Sequence, residues 1–267
     1  MWLCVLQGEK TEMANADDSY LQLLAEYRKR DNYDSVFRST LDNLAGKVDF
    51  SWVRSCVAFG TGSGEHEIEF IRRFMPNLRA FIAIEPDHES VKALRENFRS
   101  DPLPGVETTV VEMTAQDWNG ADEPVDAALS FNTIFHVESA GRQQLLQKLR
   151  TQYLTHNGVV VIIENASPIT FGYIRLMHRL GYPQDNWYHD IEKEVLAAGF
   201  RLESIYDIVS TRDLSNPSES VVKYIELLFD NKFSRELVHA VIAEIYNDPT
   251  PDVLSILRKI AIFKNSP

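Results

Sequence analysis

Residues 57–65 read Val-Ala-Phe-Gly-Thr-Gly-Ser-Gly-Glu, and the next apolar run, Phe81-Ile-Ala-Ile, stops on Glu85. An apolar strand that breaks into glycine at alternate positions turns through backbone conformations that a Cβ disfavours. A lone acid closing the following strand falls at the same end of the sheet. Together the two features describe a βαβ unit whose strand ends hold a nucleotide-type ligand. Gly60, Gly62 and Gly64 would let the backbone pass close to that ligand, and Glu85 would accept hydrogen bonds from two ribose hydroxyls.

The glycine spacing separates the cofactor classes. A dinucleotide fingerprint, G-x-G-x-x-G, would put its third glycine at position 65, which is Glu65. Dinucleotides rest a pyrophosphate on the amides of a helix N-terminus, and a carboxylate there repels it. The same carboxylate suits a cationic sulfonium or amino group. S-adenosyl-L-methionine therefore fits better than NAD or FAD.

A chain of 267 residues, 44% of them hydrophobic, can build one substantial core with a cap. Its formal net charge of −12 repels phosphates, so a DNA or RNA substrate is not expected. The two cysteines, Cys4 and Cys56, cannot make a disulfide framework or a zinc site. Cys56 reads as a small core residue, and a cytoplasmic protein is expected. Met1 to Gln7 are apolar but too few for a signal sequence or a membrane span. Residues 1–17 are expected to be disordered, and no membrane partner is expected.

From residue 18 the chain alternates helix and strand. A first helix, capped by Asp17 or Asp18, carries Tyr20, Leu23, Leu24 and Tyr27 and ends on Arg28-Lys-Arg. A second helix runs through Phe37 and Leu41 to near Gly46. Strands are expected at 55–59, 80–84, 107–112, 125–131, 158–164, 201–209 and 259–263. Helices are expected at 66–74, 88–98, 140–154, from Asp185 or Asn186 to Leu196, 218–229 and 234–246. Such alternation predicts an α/β, doubly wound, mostly parallel seven-stranded sheet. The reading is one domain over 18–267, with cap elements at 18–46, 168–182 and 216–247.

Four stretches carry a family resemblance: the Tyr20 helix, Phe59-Gly-Thr-Gly-Ser-Gly-Glu, Ile84-Glu-Pro-Asp, and Tyr182-Pro-Gln-Asp through Ile208-Val-Ser-Thr-Arg-Asp-Leu-Ser. The chain resembles the class I S-adenosylmethionine-dependent methyltransferases, whose fold is Rossmann-like. Within them it is similar to the histamine N-methyltransferase family, over about residues 18–215. The resemblance implies that Gly60, Thr61, Gly62 and Gly64 lie against the methionine part of the cofactor. It implies that Glu85 and Pro86 lie at the ribose, Ser90 near the adenosine, Thr114 by the adenine and Phe131 over the cofactor. The product would be S-adenosyl-L-homocysteine.

For the substrate pocket the resemblance points to Tyr20, Asn132, Phe135, His136, Phe171, Arg175 and Tyr188. An acid for the substrate's ammonium falls nearest Asp31 or Asp34, and Asp34 is the choice. Where this sequence has Phe171 and Arg175 the family has two tryptophans. A guanidinium in place of an aromatic wall suits a substrate carboxylate. The expected activity is therefore N-methylation of a small imidazole or amine, histamine-like, or of a histidine- or carnosine-type acid, by a monomer. An amine or imidazole nitrogen needs no strong base. An oxygen acceptor, a phenol or carboxylic acid, is the alternative and would use His136. An inactive interaction subunit is the third reading. His136 has no second ligand at metal spacing, and no metal is expected.

Overall fold

The computed structural model describes residues 20–166, 187–213, 218–228 and 255–265, and single positions 236, 240 and 243. Its helices are α1 (Tyr20–Arg28), α2 (Tyr33–Leu44), α3 (Glu65–Phe74), α4 (His88–Ser100), α5 (Ser139–Lys148), α6 (Trp187–Ala197) and α7 (Glu219–Leu228). Its strands are β1 (Ser55–Phe59), β2 (Ala80–Glu85), β3 (Glu107–Glu112), β4 (Val125–Phe131), β5 (Leu154–Asn165), β6 (Arg201–Thr211) and β7 (Ser255–Lys264).

The seven strands form one sheet in the order β3-β2-β1-β4-β5-β7-β6. The first five run parallel. After β3 the chain returns past β1 to form β4, so the strand order reverses between β1 and β4. Ligands of open α/β sheets bind in the crevice beyond the strand ends at such a reversal. Register decides what meets there. Phe59 pairs with Ile84 on one side and Ser130 on the other. The residues after these, Gly60, Glu85 and Phe131, therefore emerge at one level.

Burial explains the apolar runs. β1, β4 and the later part of β5 are buried on both faces, as parallel central strands require. β3 and the first part of β6 alternate exposed and half-buried positions, as edge strands do. Helices α3 and α4 have strongly one-sided apolar faces. Phe50, Phe70 and Phe74 stack with ring centroids 4.9–6.4 Å apart.

The elements match the sequence reading with a few corrections. The helix expected over 140–154 is α-helical only to Lys148. It widens into a π turn at Leu149–Tyr153, and Leu154 already begins β5. Tyr153 causes the change of pitch: it turns inward to stack on Trp118 at 4.8 Å. β6 runs to Thr211 rather than Val209. Its end is held from a distance, because Thr211 N–H donates to Asn32 Oδ1 at 2.7 Å and Asn32 N–H to Thr211 O at 3.1 Å. α1 ends at Arg28, so Lys29 and Arg30 fall beyond it. The cap residues Asp17, Asp18, Asp185 and Asn186, the segment 168–182 and nearly all of 234–246 lie outside the described residues.

The chain divides into two compact units. One comprises 1–37, 166–186 and 208–258; the other comprises 38–165, 187–207 and 259–267. In the first, α1 packs on α7 through Tyr27 and Tyr224, 4.6 Å between rings. The second holds β1–β5, the glycine turn and Glu85.

In the second unit an ion pair fixes the turn after β4. Arg142 of α5 donates from Nε and Nη2 to Glu194 of α6 at 2.7 and 2.9 Å, and from Nη1 to the Val137 carbonyl at 2.6 Å. The two side chains are only 13% and 12% exposed. Burial alone would raise the Glu194 pKa. The bonds from Arg142 and Ser139 outweigh it and hold the carboxyl below its ordinary range. A depressed acid stabilises the fold above its unfolded pKa and loses that contribution as pH falls through its folded value. Glu194→Gln is expected to cost about 2 kcal/mol at neutral pH, because it leaves the Arg142 charge uncompensated. Urea unfolding across the acid range checks this: the difference between wild type and variant should shrink as pH falls.

Candidate functional site

The turn after β1 is built on backbone bonds to β2. Gly60 N–H donates to Ile84 O at 2.7 Å, and Gly64 N–H to Thr61 O at 2.8 Å. Thr61 is buried beneath the turn. The glycines serve different ends. A Cβ on Gly60 would lie 2.0 Å from Thr133 Cγ2, and one on Gly64 2.4 Å from Leu94 Cδ1. Those two are glycine because neighbouring side chains fill the space. Gly62, at φ +53°, has nothing within 4 Å of its would-be Cβ, so the turn is open on that side. Asn97 of α4 ties the turn down by donating to Ser63 O at 2.9 Å.

Glu85 closes the turn from the other strand. Its Oε2 accepts from Gly62 N–H at 2.7 Å and its Oε1 from Asp87 N–H at 3.0 Å. The residue is 6% exposed, and among the described residues no cation pairs with it. Burial therefore dominates and raises its pKa above the ordinary carboxylate range, against the two N–H bonds. Each oxygen keeps a further lone pair, the requirement for gripping a vicinal diol. Beyond Pro86, Asp87 caps α4, accepting from Ser90 N–H at 2.8 Å. Ser90 is buried. At the end of β3, Thr114 donates to Asp117 Oδ2 at 2.6 Å and so sits in a local turn. The ring of Phe131 is buried edge-to-face on Phe70 at 5.5 Å, a packing role that accounts for its burial.

The turn after β4 carries the nearest side chains to that crevice. Asn132 takes φ +53°, the left-handed region that asparagine tolerates better than most residues. Its N–H donates to Ile163 O at 2.7 Å. Phe135 and His136 stack at 3.9 Å between rings. Crowding lowers the His136 pKa to about 4, so its imidazole is neutral at physiological pH.

Two residues absent from the sequence reading hold this turn. Thr133 donates from Oγ1 to Gly60 O at 3.0 Å and from its N–H to Glu164 Oε1 at 3.0 Å. Glu164, fully buried, ends the apolar run Val159–Ile163 of β5. The signal was present in the sequence: a lone acid closing an apolar strand, as at Glu85.

The remaining residues with expected substrate roles belong to other elements or lie outside the described residues. Tyr188 is buried in α6, 1% exposed, and its burial raises its phenol pKa. Asp34 lies exposed in the first turn of α2. Asp31 is instead the buried acid of that region, joined to Arg212 at 2.5 Å. The side chain of Tyr20, and Phe171 and Arg175 entirely, lie outside the described residues.

Comparison with known proteins defines the class. Residues 57–158 match the family model described as a methyltransferase domain. No curated protein sequence matches the chain significantly. Among solved structures, a methyltransferase candidate from Bacillus halodurans superposes with a TM-score of 0.59 at 14% identity, covering 86% of this chain and all of its own. The YcgJ protein of Bacillus subtilis gives 0.55 at 12% identity, over 85% of this chain and 97% of its own. A geranyl diphosphate methyltransferase in complex with S-adenosylmethionine gives 0.51 at 14% identity, over 93% and 92%. Residues 57–158 thus match a methyltransferase domain, and the chain shares its fold with solved methyltransferase structures.

The open side of Gly62 and the raised Glu85 give two linked expectations. Gly62→Ala should weaken cofactor binding about tenfold, about 1.4 kcal/mol, with a smaller effect on stability than Gly60→Ala or Gly64→Ala. Ribose hydroxyls would donate to the ionised form of Glu85. Affinity should therefore fall as pH drops through its raised pKa, and Glu85→Gln should abolish that dependence. Calorimetric titration at several pH values checks both.

Proposed function

We propose that the protein methylates a nitrogen of a small amine or imidazole metabolite, using S-adenosyl-L-methionine and releasing S-adenosyl-L-homocysteine. The observation that carries the reading is the Glu85 carboxylate held at 2.7 Å from the Gly62 amide, with open space on the far side of Gly62. In this reading Gly60, Thr61, Gly62 and Gly64 line the methionine end. Glu85 and Pro86 take the ribose, and Ser90, Thr114 and Phe131 surround the adenosine. When bound, the cofactor supplies a methyl carbon already activated by an adjacent sulfonium charge.

The protein's own task is then to exclude water and align a lone pair. Asn132, Phe135 and His136, past the end of β4, are the residues proposed to face the acceptor. The state of His136 favours nitrogen over a phenol oxygen. With a pKa of about 4 its imidazole is a weak base and would remove a phenolic proton poorly. A neutral amine or imidazole nitrogen brings its own lone pair. Histamine, histidine and carnosine are the acceptors to compare, and the contributions assigned to Tyr20, Asp34, Phe171, Arg175 and Tyr188 belong to the same proposal.

No helix among the described residues is long and apolar enough to cross a membrane, and no group of three or more potential metal ligands is gathered there. The proposal takes the acceptor as a small molecule and the protein as a cytoplasmic monomer.

Incubation with methyl-labelled cofactor and a panel of amines, imidazoles and phenols tests the reaction. Label in a nitrogen-methylated product, lost in Glu85→Gln, is the expected outcome. Label only in an oxygen-methylated product, or none at all, defeats the reading. His136→Gln should keep the shape of the pH–rate profile. Loss of an acid limb in that variant would instead assign His136 as a base.

A further inference from the structure

The first unit contains a buried cationic cluster that the methyl-transfer reading does not use. Arg212 and Arg258 are 8% and 7% exposed. Arg212 donates from Nη2 to Asp31 Oδ2 and from Nη1 to Tyr27 Oη, both at 2.5 Å. The other oxygen of Asp31 accepts from Tyr33 N–H at 2.7 Å. Asp31 is thereby committed to Arg212 and to its own turn.

Arg258 is provided for differently. Its Nη1 donates to Ser210 Oγ at 2.8 Å. Its Nη2 stands 3.9 Å from Asp31 Oδ2, too far for a hydrogen bond. Its Nε is buried and has no hydrogen-bond partner. The Tyr33 ring covers one face of the guanidinium, 4.1 Å from its central carbon. The edge formed by Nε and Nη2 is thus a side-on fork with no acceptor at hydrogen-bond distance among the described residues. An arginine cannot shed its proton to relieve such burial. Burial lowers its pKa, the neighbouring Arg212 lowers it further, and Tyr33 and Asp31 oppose the shift.

We infer that the Nε–Nη2 edge of Arg258, flanked by Arg212, Tyr33 and Ser210, binds the carboxylate of a small molecule. A planar carboxylate satisfies both N–H groups of a side-on fork at once. The ring on the guanidinium face leaves in-plane approach as the favoured one. The sequence reading put the carboxylate-binding cation at Arg175; the described structure offers Arg258 for that chemistry. The inference concerns binding alone and stands apart from the methyl-transfer reading.

The test uses the full-length protein at constant ionic strength, with chloride as the balancing anion. Acetate and propionate should each raise the thermal midpoint saturably, whereas acetamide, which lacks the carboxylate, should not. Arg258→Lys keeps the charge and loses the fork, and should weaken that binding about tenfold or more. In case this variant does not fold, arginine Nε–H resonances of the wild-type protein give a second readout, with one buried signal shifting on addition of acetate. Absence of any carboxylate-dependent stabilisation or resonance shift overturns the proposal. So does stabilisation by phosphate without carboxylates, or a response equal for acetate and acetamide.

Discussion

One buried carboxylate organises the end of the sheet where the strand order reverses. Glu85 accepts from the Gly62 amide at 2.7 Å and the Asp87 amide at 3.0 Å, and so joins the turn after β1 to the start of α4. Its neighbours make that position possible. The parallel register sets Phe59 against Ile84, so the turn and the acid emerge side by side. Asp87 caps α4, and Asn97 of the same helix reaches back to Ser63. A charge buried without a cation is costly unless hydrogen bonds compensate it. The N–H donors present compensate it in part, and its raised pKa measures what is left over. A cofactor carrying two hydroxyls would supply the rest, which links the fold's energetics to the proposed chemistry.

A second acid repeats the device at the far side of the strand reversal. Glu164, next to last in β5 and fully buried, takes the Thr133 N–H. Thr133 also bonds Gly60 O, so the turn after β4 and the turn after β1 are tied to each other. From outside, Arg142 holds the Val137 carbonyl while paired with Glu194. The segment between, with Asn132 in the left-handed region and His136 neutral, is therefore fixed from both sides. Rigid placement of this kind is what a displacement reaction needs when the leaving group is already activated.

Most of the scaffold was legible because central parallel strands must be apolar on both faces and the turns between them need glycine. The bounds of β1 and β4 follow from runs such as Cys56–Phe59 and Val125–Phe131, which break at Gly60 and Asn132. The errors lie where a distant partner overrides a local pattern. The helical periodicity through 149–153 is real, yet Tyr153 turns inward onto Trp118 and the helix widens. The end of β6 depends on Asn32, whose distance along the chain hides the pairing. Glu85 could be read as a site residue because a lone acid after apolar residues requires a partner. Glu164 gave the same signal in β5 and became meaningful only once Thr133 was seen beside it.

The sequence by itself determined the fold class, the glycine turn and the acid of the second strand, because each follows from steric and solvation rules acting within a few residues. It could not determine which acids and bases face each other. Asp31 and Arg212, or Arg142 and Glu194, are far apart along the chain and meet only after the sheet and helices have packed. Nor could it give the protonation state of His136, which depends on how closely the folded chain crowds the ring. Local geometry is written in short-range sterics, whereas charge pairing and pKa arise from the dielectric and the neighbours that tertiary packing supplies.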